Sequence, residues 1–216
     1  MLFKENETLV FIGDSVPECG RSYPDGEGQV NQNPLGNGFP AFVNAMMTAL
    51  HPELHMRIIN KGIGGNQSRH LVERWQQDVL DYNPDYVCIM IGTNDIWRQF
   101  DFPRMKHMHV YIDEYEKNVE KLIVDTKDKV KGIIIMTPVF IDYKSDDPMR
   151  KAFEAYSAVL KKLAEKHGCM FLDEQKVIDH LCEYDHPYTI AYDRIHPCHT
   201  GHMAMALDFM KATGAM

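Results

Sequence analysis

Five short apolar segments recur along the chain and limit the folds it can adopt. Residues 86–91 and 132–136 are continuous, apolar and partly β-branched, as expected of parallel strands that are covered on both faces. Weaker segments of the same kind lie at residues 8–12, 57–60 and 169–172. The length of 216 residues suits one α/β domain and is short for two.

Helical patterns separate these strand candidates. Residues 39–50 carry one such pattern, and apolar residues recur at helical spacing before and after the third strand as well. The best-marked helix has Asp147 as its N-cap, Pro148 at its first position and Gly168 at its end. Strands that alternate with helices predict a three-layer α/β/α sandwich around a central, mostly parallel, five-stranded sheet, in one domain over residues 1–216.

Polar or glycine-rich segments follow the predicted strands directly. Ligands of parallel sheets bind at the carboxyl ends of the strands, so these segments are candidates for one functional site. We expect four of them to open on the same edge of the sheet: Gly13-Asp14-Ser15, residues 60–66, residues 92–95 and residues 193–197.

Ser15, Asp193 and His196 have the chemistry of a nucleophile, an orienting carboxylate and a base. A serine hydroxyl needs an adjacent base before it can attack a carbonyl. Asp193 precedes His196 by three residues, so its carboxylate can reach the ring Nδ1 and leave Nε2 for the serine proton. Taken alone, Ser15 is more often a helix cap, because Gly-Asp-Ser is a short string.

Hydrolysis of an ester also requires N–H donors for the negative charge on the carbonyl oxygen. Gly65 offers a backbone N–H without a side chain in the way, Asn94 offers its carboxamide, and the N–H of Ser15 is a third donor. The glycines at 62–65 are equally consistent with a flexible turn, and Asn94 with a helix N-cap. A nucleotide-binding loop is disfavoured, because this segment lacks both the lysine-serine end of a Walker motif and the G-x-G-x-x-G spacing of a dinucleotide-binding motif.

The formal charge of −8 disfavours nucleic acid and anionic membranes as partners. No apolar run is long enough to span a bilayer, and the amino-terminal residues lack the layout of a signal peptide. The five cysteines show no C-x-x-C pair, so reduced thiols and a cytoplasmic location are expected. Cys198, His199 and His202 admit a metal site, but three ligands at one helix start are poorly placed for a tetrahedron. We therefore expect no metal and no cofactor.

The order and spacing of the motifs are more specific than any motif alone. The segments FIGDS, NKGIGGN, IGTND and DRIHP resemble the four blocks of the SGNH (GDSL-type) hydrolase superfamily, and they extend along the whole chain. The resemblance implies Ser15 as nucleophile, Gly65 and Asn94 as oxyanion donors, and Asp193 and His196 as orienter and base. It also implies a supporting role for Asp14 beside the serine.

A narrower resemblance is to the intracellular acetylxylan esterases of that superfamily. It rests on FIGDSVPECGR, the P-x-G-x-G stretch that follows it, IMIGTNDIWRQFD, HVYIDEY, VKGIIIMTP and HPxxxGHM. The resemblance implies a serine esterase that removes acetyl groups from xylo-oligosaccharides by two-step acyl transfer. This chain departs from the family at Gly64, where a serine is frequent, and over residues 182–192.

Other functions remain open at this point. A lipase or thioesterase on the same fold would act on short acyl esters, a non-catalytic binding module would have lost the nucleophile or base, and a metal-dependent deacetylase would be sensitive to chelators. Trp97 and Arg98 are candidate substrate-binding residues, although packing explains Trp97 equally well. We expect residues 17–40 to form an ordered functional loop, and residues 100–110 to be exposed and able to pack against a second copy in a homo-oligomer.

Overall fold

The computed structural model describes residues 1–22 and 33–216. Part of the predicted loop at 17–40, including the P-x-G-x-G stretch, therefore lies outside the described residues. The two ends of that segment meet, because the N–H of Ser22 donates to the carbonyl of Asn33 and the N–H of Asn37 donates to that of Cys19, both over 2.8 Å.

The sheet contains five strands, all of which pair in parallel in the order β2-β1-β3-β4-β5. The predicted fold class is thus confirmed, with a sheet that is parallel throughout rather than mostly so. Its strands are β1 (Thr8–Gly13), β2 (Arg57–Asn60), β3 (Tyr86–Met90), β4 (Gly132–Met136) and β5 (Met170–Leu172).

Helices cover both faces of the sheet. In chain order they are α1 (Ser15–Glu18), α2 (Phe39–Leu50), α3 (Ser68–Asp78), α4 (Thr93–Asp101), α5 (Ile112–Thr126), α6 (Pro148–His167), α7 (Glu174–Cys182), α8 (Pro187–Ile190) and α9 (His199–Ala212). The helix α6 has the predicted ends, since the side chain of Asp147 accepts from the N–H of Met149 over 2.8 Å and Gly168 is left-handed.

The two cores follow from the alternation of side chains along each strand. Leu9 and Phe11 point to the face that is covered by α2, α7 and α9, where Phe209 packs against Phe11. Val10 and Ile12 point to the opposite face, which α3, α4, α5 and α6 cover. Because all the strands run the same way, the segments after β1, β2 and β3 emerge at one edge of the sheet.

Residues 100–110 were expected to be exposed, and only part of this stretch is. Phe100, Phe102 and Met105 are exposed, but Val110 is fully buried in the core between α4 and α5. Its carbonyl accepts hydrogen bonds from the Tyr156 hydroxyl, over 2.8 Å, and from the Gln99 amide, which removes it from the surface. Among the described residues, no helix combines the length and apolar character needed to cross a membrane.

Candidate active site

Ser15 is held at the point where β1 turns into α1. A Cβ at Gly13 would lie 1.9 Å from the carbonyl oxygen of Met90, so only glycine allows β1 and β3 to approach each other here. Asp14 then caps α1, since its carboxylate accepts from the N–H of Val16 over 3.0 Å. The helix cap and the candidate nucleophile thus belong to neighbouring residues: Asp14 is the cap, and the hydroxyl of Ser15 is left free of the capping role.

Ser15, His196 and Asp193 form one line of hydrogen bonds. The Oγ of Ser15 lies 2.7 Å from Nε2 of His196, and Nδ1 of the same ring lies 2.6 Å from Oδ2 of Asp193. The other oxygen of Asp193 accepts from the N–H groups of Ile195 and His196 over 3.0 and 2.9 Å. The left-handed conformation of Arg194 closes this tight loop. The carboxylate of Asp193 thus holds His196 by both its ring and its backbone N–H.

The environment keeps Asp193 charged. Partial burial acts to raise its pKa, but the hydrogen bonds from the His196 ring and from two backbone N–H groups outweigh that effect. The net result is a pKa below the ordinary value of an aspartate. A charged carboxylate at this position stabilises an imidazolium when the ring takes a proton.

Two further carboxyl groups are buried beneath the site. Burial raises the pKa of Asp14 to about 6, against the opposing hydrogen bond from Val16. Burial also raises the pKa of Asp95 to about 7, although both its oxygens accept from the N–H of Ser68 and one also accepts from the hydroxyl of Ser68. Asp95 thereby joins the start of α3 to α4, the helix that carries Asn94.

Gly65 follows β2 and Asn94 lies in the first turn of α4, which follows β3, so the two residues come from the strands on either side of β1 and Ser15. Gly65 has a φ of +78°, is exposed and faces open space, so its N–H can be directed into the site without a side chain above it. The carboxamide of Asn94 is 2% exposed and is fixed at both ends: its Nδ2 donates to the carbonyl of Asn66 over 3.1 Å, and its Oδ1 accepts from Arg98 over 2.9 Å. The orientation of this amide is therefore set before a substrate arrives.

Two polar residues that the sequence reasoning did not single out hold the glycine loop in place. Asn60, at the end of β2, donates to the carbonyls of Pro17 and Leu35 and accepts from the N–H of Gly62 over 2.9 Å. Arg74 of α3 donates to the carbonyls of Lys61 and Gly13 over 2.8 and 3.0 Å. Asn60 lies inside a recognised motif, whereas Arg74 carries no signal in the sequence because its partners are distant along the chain.

Trp97 and Arg98 are close to the candidate catalytic residues. The ring of Trp97 lies 5.8 Å from that of His196 in an edge-on arrangement, and it packs against the core below. Arg98 stacks over Trp97, pairs with Asp101 and donates to Asn94. The structure places the Arg98 guanidinium against protein partners, and the predicted contacts of Trp97 and Arg98 with substrate stay predictions.

The histidines near the last helix are not arranged around a common point. Burial lowers the pKa of His202 to about 4, and its Nδ1 accepts from the N–H of Phe39 over 3.3 Å. Within residues 1–22 and 33–216, no group of three histidine, cysteine or acidic side chains is placed to hold a metal ion. The described part of the chain therefore offers no candidate metal centre.

Comparisons with known proteins place this geometry in context. The profile of the GDSL-like lipase/acylhydrolase family matches residues 11–204. The chain is 45% identical over 214 residues to the acetylxylan esterase of Geobacillus stearothermophilus, and the match covers 99% of this chain and 97% of that one. A crystal structure of that enzyme, Axe2, superposes with a TM-score of 0.94 at the same coverage. Three other structures of it are described as catalytic mutants, in which a serine, an aspartate or a histidine is replaced by alanine.

A second similar structure is LAE5, an enzyme from the metagenome of Lake Arreo in Spain that is described as an α/β hydrolase. It is 43% identical, covers 99% of this chain and 98% of its own, and superposes with a TM-score of 0.94. The family profile and the full-length relatives agree with the motif order and with the observed fold. The chain belongs to the GDSL-like lipase/acylhydrolase family, the SGNH hydrolases.

Proposed function

We propose that this protein is a serine esterase that removes acetyl groups from xylo-oligosaccharides. The observation that carries the proposal is the continuous line of hydrogen bonds from Ser15 through His196 to Asp193, with spacings of 2.7 and 2.6 Å. A serine, an imidazole and a carboxylate in this order are the arrangement that activates a hydroxyl for acyl transfer.

In the first half of the reaction, Oγ of Ser15 attacks the acetyl carbonyl carbon while Nε2 of His196 takes the hydroxyl proton. Asp193 stabilises the imidazolium through its bond to Nδ1. The N–H groups of Ser15 and Gly65 and the amide of Asn94 receive the negative charge on the carbonyl oxygen. His196 then gives its proton to the sugar oxygen, and the deacetylated sugar leaves.

In the second half, water takes the place of the sugar. His196 removes a proton from the water, which attacks the acetyl group on Ser15. The same donors stabilise the second tetrahedral intermediate, and the proton returns to Oγ as acetate departs. The groups that the protein supplies are therefore used twice, and no external reactant besides water is required.

The similar proteins support both the site and the substrate. The Geobacillus enzyme is described as an acetylxylan esterase and as an acetyl-xylooligosaccharide esterase. The aspartate and histidine of its catalytic mutants are three residues apart, as Asp193 and His196 are here. Identity of 45% over nearly the whole chain favours the same chemistry on a related substrate.

The proposal also covers the setting of the reaction. The substrate is a neutral acetylated sugar, and the charge of −8 disfavours nucleic acid and anionic membranes as partners. All five cysteines lie in the described part of the chain as free thiols, which supports a reducing, cytoplasmic location. The exposed Phe100, Phe102 and Met105 support a homo-oligomer.

The proposal is tested by acetate release from acetylated xylo-oligosaccharides, with wild type beside Ser15→Ala. We expect the wild type to release acetate and the variant to lose kcat by at least ~10⁴-fold, because the nucleophile is gone. Ser157→Ala, on α6, is the matched control and should keep wild-type activity. Acetate release that persists in Ser15→Ala would rule out Ser15 as the nucleophile.

The alternative of a lipase or thioesterase is tested in the same assay. With p-nitrophenyl acetate and p-nitrophenyl octanoate as substrates, an acetyl esterase should prefer the acetate. A higher kcat/KM for octanoate would move the function to longer acyl chains and would contradict the proposal, even if Ser15 proves to be the nucleophile.

A further inference from the structure

Arg194 lies between Asp193 and His196, the candidate catalytic residues of the last loop. Its backbone is left-handed, with a φ of +67°. A residue with a long side chain adopts this conformation only where the surrounding structure imposes it. The next residue, Ile195, is fully buried, so packing fixes one side of the loop. On the other side, Arg194 contacts residues 139–147, the segment that follows β4.

The contacts of Arg194 with that segment involve both its backbone and its side chain. Its carbonyl accepts from the N–H of Ile141 over 2.8 Å. Its Nη1 donates to Oδ2 of Asp147 over 3.0 Å and to Oδ2 of Asp142 over 3.4 Å. The guanidinium also lies over the ring of Phe140, 4.9 Å from the ring centroid. These contacts tie the loop of the candidate base to the loop after β4.

The segment after β4 is a rigid support for these contacts. Gln175, near the start of α7, holds both backbone groups of Phe140: its Oε1 accepts from the N–H over 2.7 Å, and its Nε2 donates to the carbonyl over 2.9 Å. Asp147 is fixed as the N-cap of α6 through its Oδ1, which accepts from the N–H of Met149. Partial burial acts to raise the pKa of Asp147, but the hydrogen bonds from Met149 and Arg194 outweigh it and the pKa is lowered. Arg194 therefore pairs with a fixed and charged carboxylate.

The reaction depends on how precisely the His196 ring is placed. Its Nε2 has to take the proton of Ser15 and then give it to the sugar oxygen. A misplacement of about 1 Å in a catalytic site can lower the rate by about 10²-fold. Asp193 orients the ring but belongs to the same short loop and moves with it. The distance from the ring to Ser15 therefore depends on contacts between this loop and the rest of the fold, such as those of Arg194.

We propose that Arg194 is a positioning residue that holds the loop of His196 at the distance from Ser15 that proton transfer requires. It acts through its ion pair with Asp147 and its stacking on Phe140, and not through the substrate. The Arg194 side chain is 42% exposed, and ion pairs of this kind contribute little to the free energy of unfolding. Its loss should thus change the rate far more than the stability. This inference rests on the proposed function, because acetyl release reports the position of the ring.

The test measures acetate release from a monoacetylated methyl xyloside. Arg194→Gly removes the side chain and keeps the left-handed turn, which glycine adopts without strain. We expect kcat to fall about tenfold with KM within about twofold of the wild type, because the base is displaced while substrate binding is intact. Arg194→Lys keeps a cation within reach of Asp147 and should bring kcat back to within about threefold of the wild type. Lys162→Gln removes an exposed ion pair with Glu116 and is the control, with kcat unchanged.

Asp147→Asn tests the ion pair from its other side. Asparagine caps a helix as well as aspartate does, so α6 should keep its start while the charge is lost. We expect a decrease in kcat of about threefold, since Asp142 and the ring of Phe140 still hold the guanidinium. In the double variant with Arg194→Gly, kcat should equal that of Arg194→Gly alone, because both changes remove one interaction. Losses that multiply would contradict the role of this ion pair.

The reactivity of Ser15 gives a measurement that does not depend on a sugar. Phenylmethanesulfonyl fluoride sulfonylates an activated serine hydroxyl and releases fluoride, and its rate of inactivation reports how well His196 takes the proton. We expect this rate to fall about tenfold in Arg194→Gly and to recover in Arg194→Lys, with the midpoint of urea unfolding nearly unchanged in both.

These results separate the role of Arg194 from the function on which it rests. If the wild type releases no acetate from the xyloside, the proposed function is contradicted, and the inactivation rates still decide the role of Arg194. If Arg194→Gly keeps the wild-type kcat and inactivation rate, changes KM alone, or loses activity only in step with its stability, the positioning role is overturned while the esterase survives.

Discussion

Two carboxyl groups near the same edge of the sheet have opposite surroundings. Asp193 accepts three hydrogen bonds, from the His196 ring and from the N–H groups of Ile195 and His196. Glu174, which begins α7 just after β5, is 0% exposed, and neither of its oxygens has a hydrogen-bond partner in the part of the chain that the structure describes. The pKa of Asp193 is lowered, whereas burial and the nearby Asp208 and Asp173 raise the pKa of Glu174 well above its ordinary value.

The difference shows that burial alone does not decide the charge of an acid in this protein. The loop around Asp193 turns through the left-handed Arg194, which directs backbone donors at the carboxylate. Glu174 lies among core residues such as Cys88 and beside other acids, where the described part of the chain supplies no donor to offset the loss of water. The surroundings of Asp193 therefore favour the carboxylate anion, and those of Glu174 favour the neutral acid.

The strongest test of this comparison replaces Asp193 by asparagine. The amide can offer an N–H to Nδ1 of His196, which favours the tautomer that cannot take the proton of Ser15. We expect kcat to fall by about 10⁴-fold with a small change in KM. Steady-state kinetics on the acetylated xyloside measure this effect, with Asp208→Asn as the control.

A loss of less than about tenfold would mean that the imidazole is oriented without the Asp193 charge. The proposed role of the Asp193 charge in catalysis would then be contradicted. A large loss in the Asp208→Asn control would point instead to a general effect of removing acids near this edge.

A second test asks whether the fixed donors of the site act on the transition state. Asn94→Ala removes an amide that Arg98 and the carbonyl of Asn66 hold in place. We expect a decrease in kcat of about 10²–10³-fold and little change in KM, because the donor acts on charge that develops only during the reaction. Gln99→Ala, on the same helix, is a control for damage to α4. A change confined to KM would show that Asn94 binds the ground state.

The sequence predicted the parts of this molecule that depend on local patterns. The strands at 57–60 and 132–136 and the helices at 39–50 and 148–167 have the predicted bounds. The strand at 132–136 is a continuous apolar run and the helix at 148–167 has clear capping residues, and neither feature depends on the rest of the fold. The helix α4 was not predicted, because its polar residues were assigned to chemistry rather than to helical periodicity.

Within the site, the sequence predicted which residues meet but not what holds them. Ser15, Asp193 and His196 were selected by chemistry, motif order and resemblance, and the structure brings them together. The contact of Arg74 with the carbonyl of Gly13 spans 61 residues of chain and has no local signature. The isolation of Glu174 was equally invisible, because a glutamate at a helix start is usually a solvated residue.

The smallest expected effect is on the stability of the protein, and it concerns Glu174. The folded pKa of Glu174 lies above the unfolded value of about 4.3. The stabilising contribution of the neutral acid is thus complete below that value and is lost as the pH rises toward the folded pKa. Glu174→Gln is neutral at every pH. The free energy of unfolding of this variant should therefore rise relative to that of the wild type as the pH rises, by at most about 1.4 kcal/mol per pH unit.

Urea titrations from pH 3 to 8 measure this difference, with Glu165→Gln on the exposed side of α6 as the control. Asp193→Asn should give the opposite slope at lower pH. The pKa of Asp193 is lowered, so its contribution is complete above the unfolded value of about 3.9 and is lost as the pH falls below it. The stability of the wild type relative to Asp193→Asn should therefore rise only up to about pH 5 and stay constant above it, whereas its stability relative to Glu174→Gln should fall as the pH rises above about 4.3. Parallel slopes for the two variants would show that the acids share one kind of environment, and a flat difference for Glu174→Gln would mean that its carboxyl has donors after all.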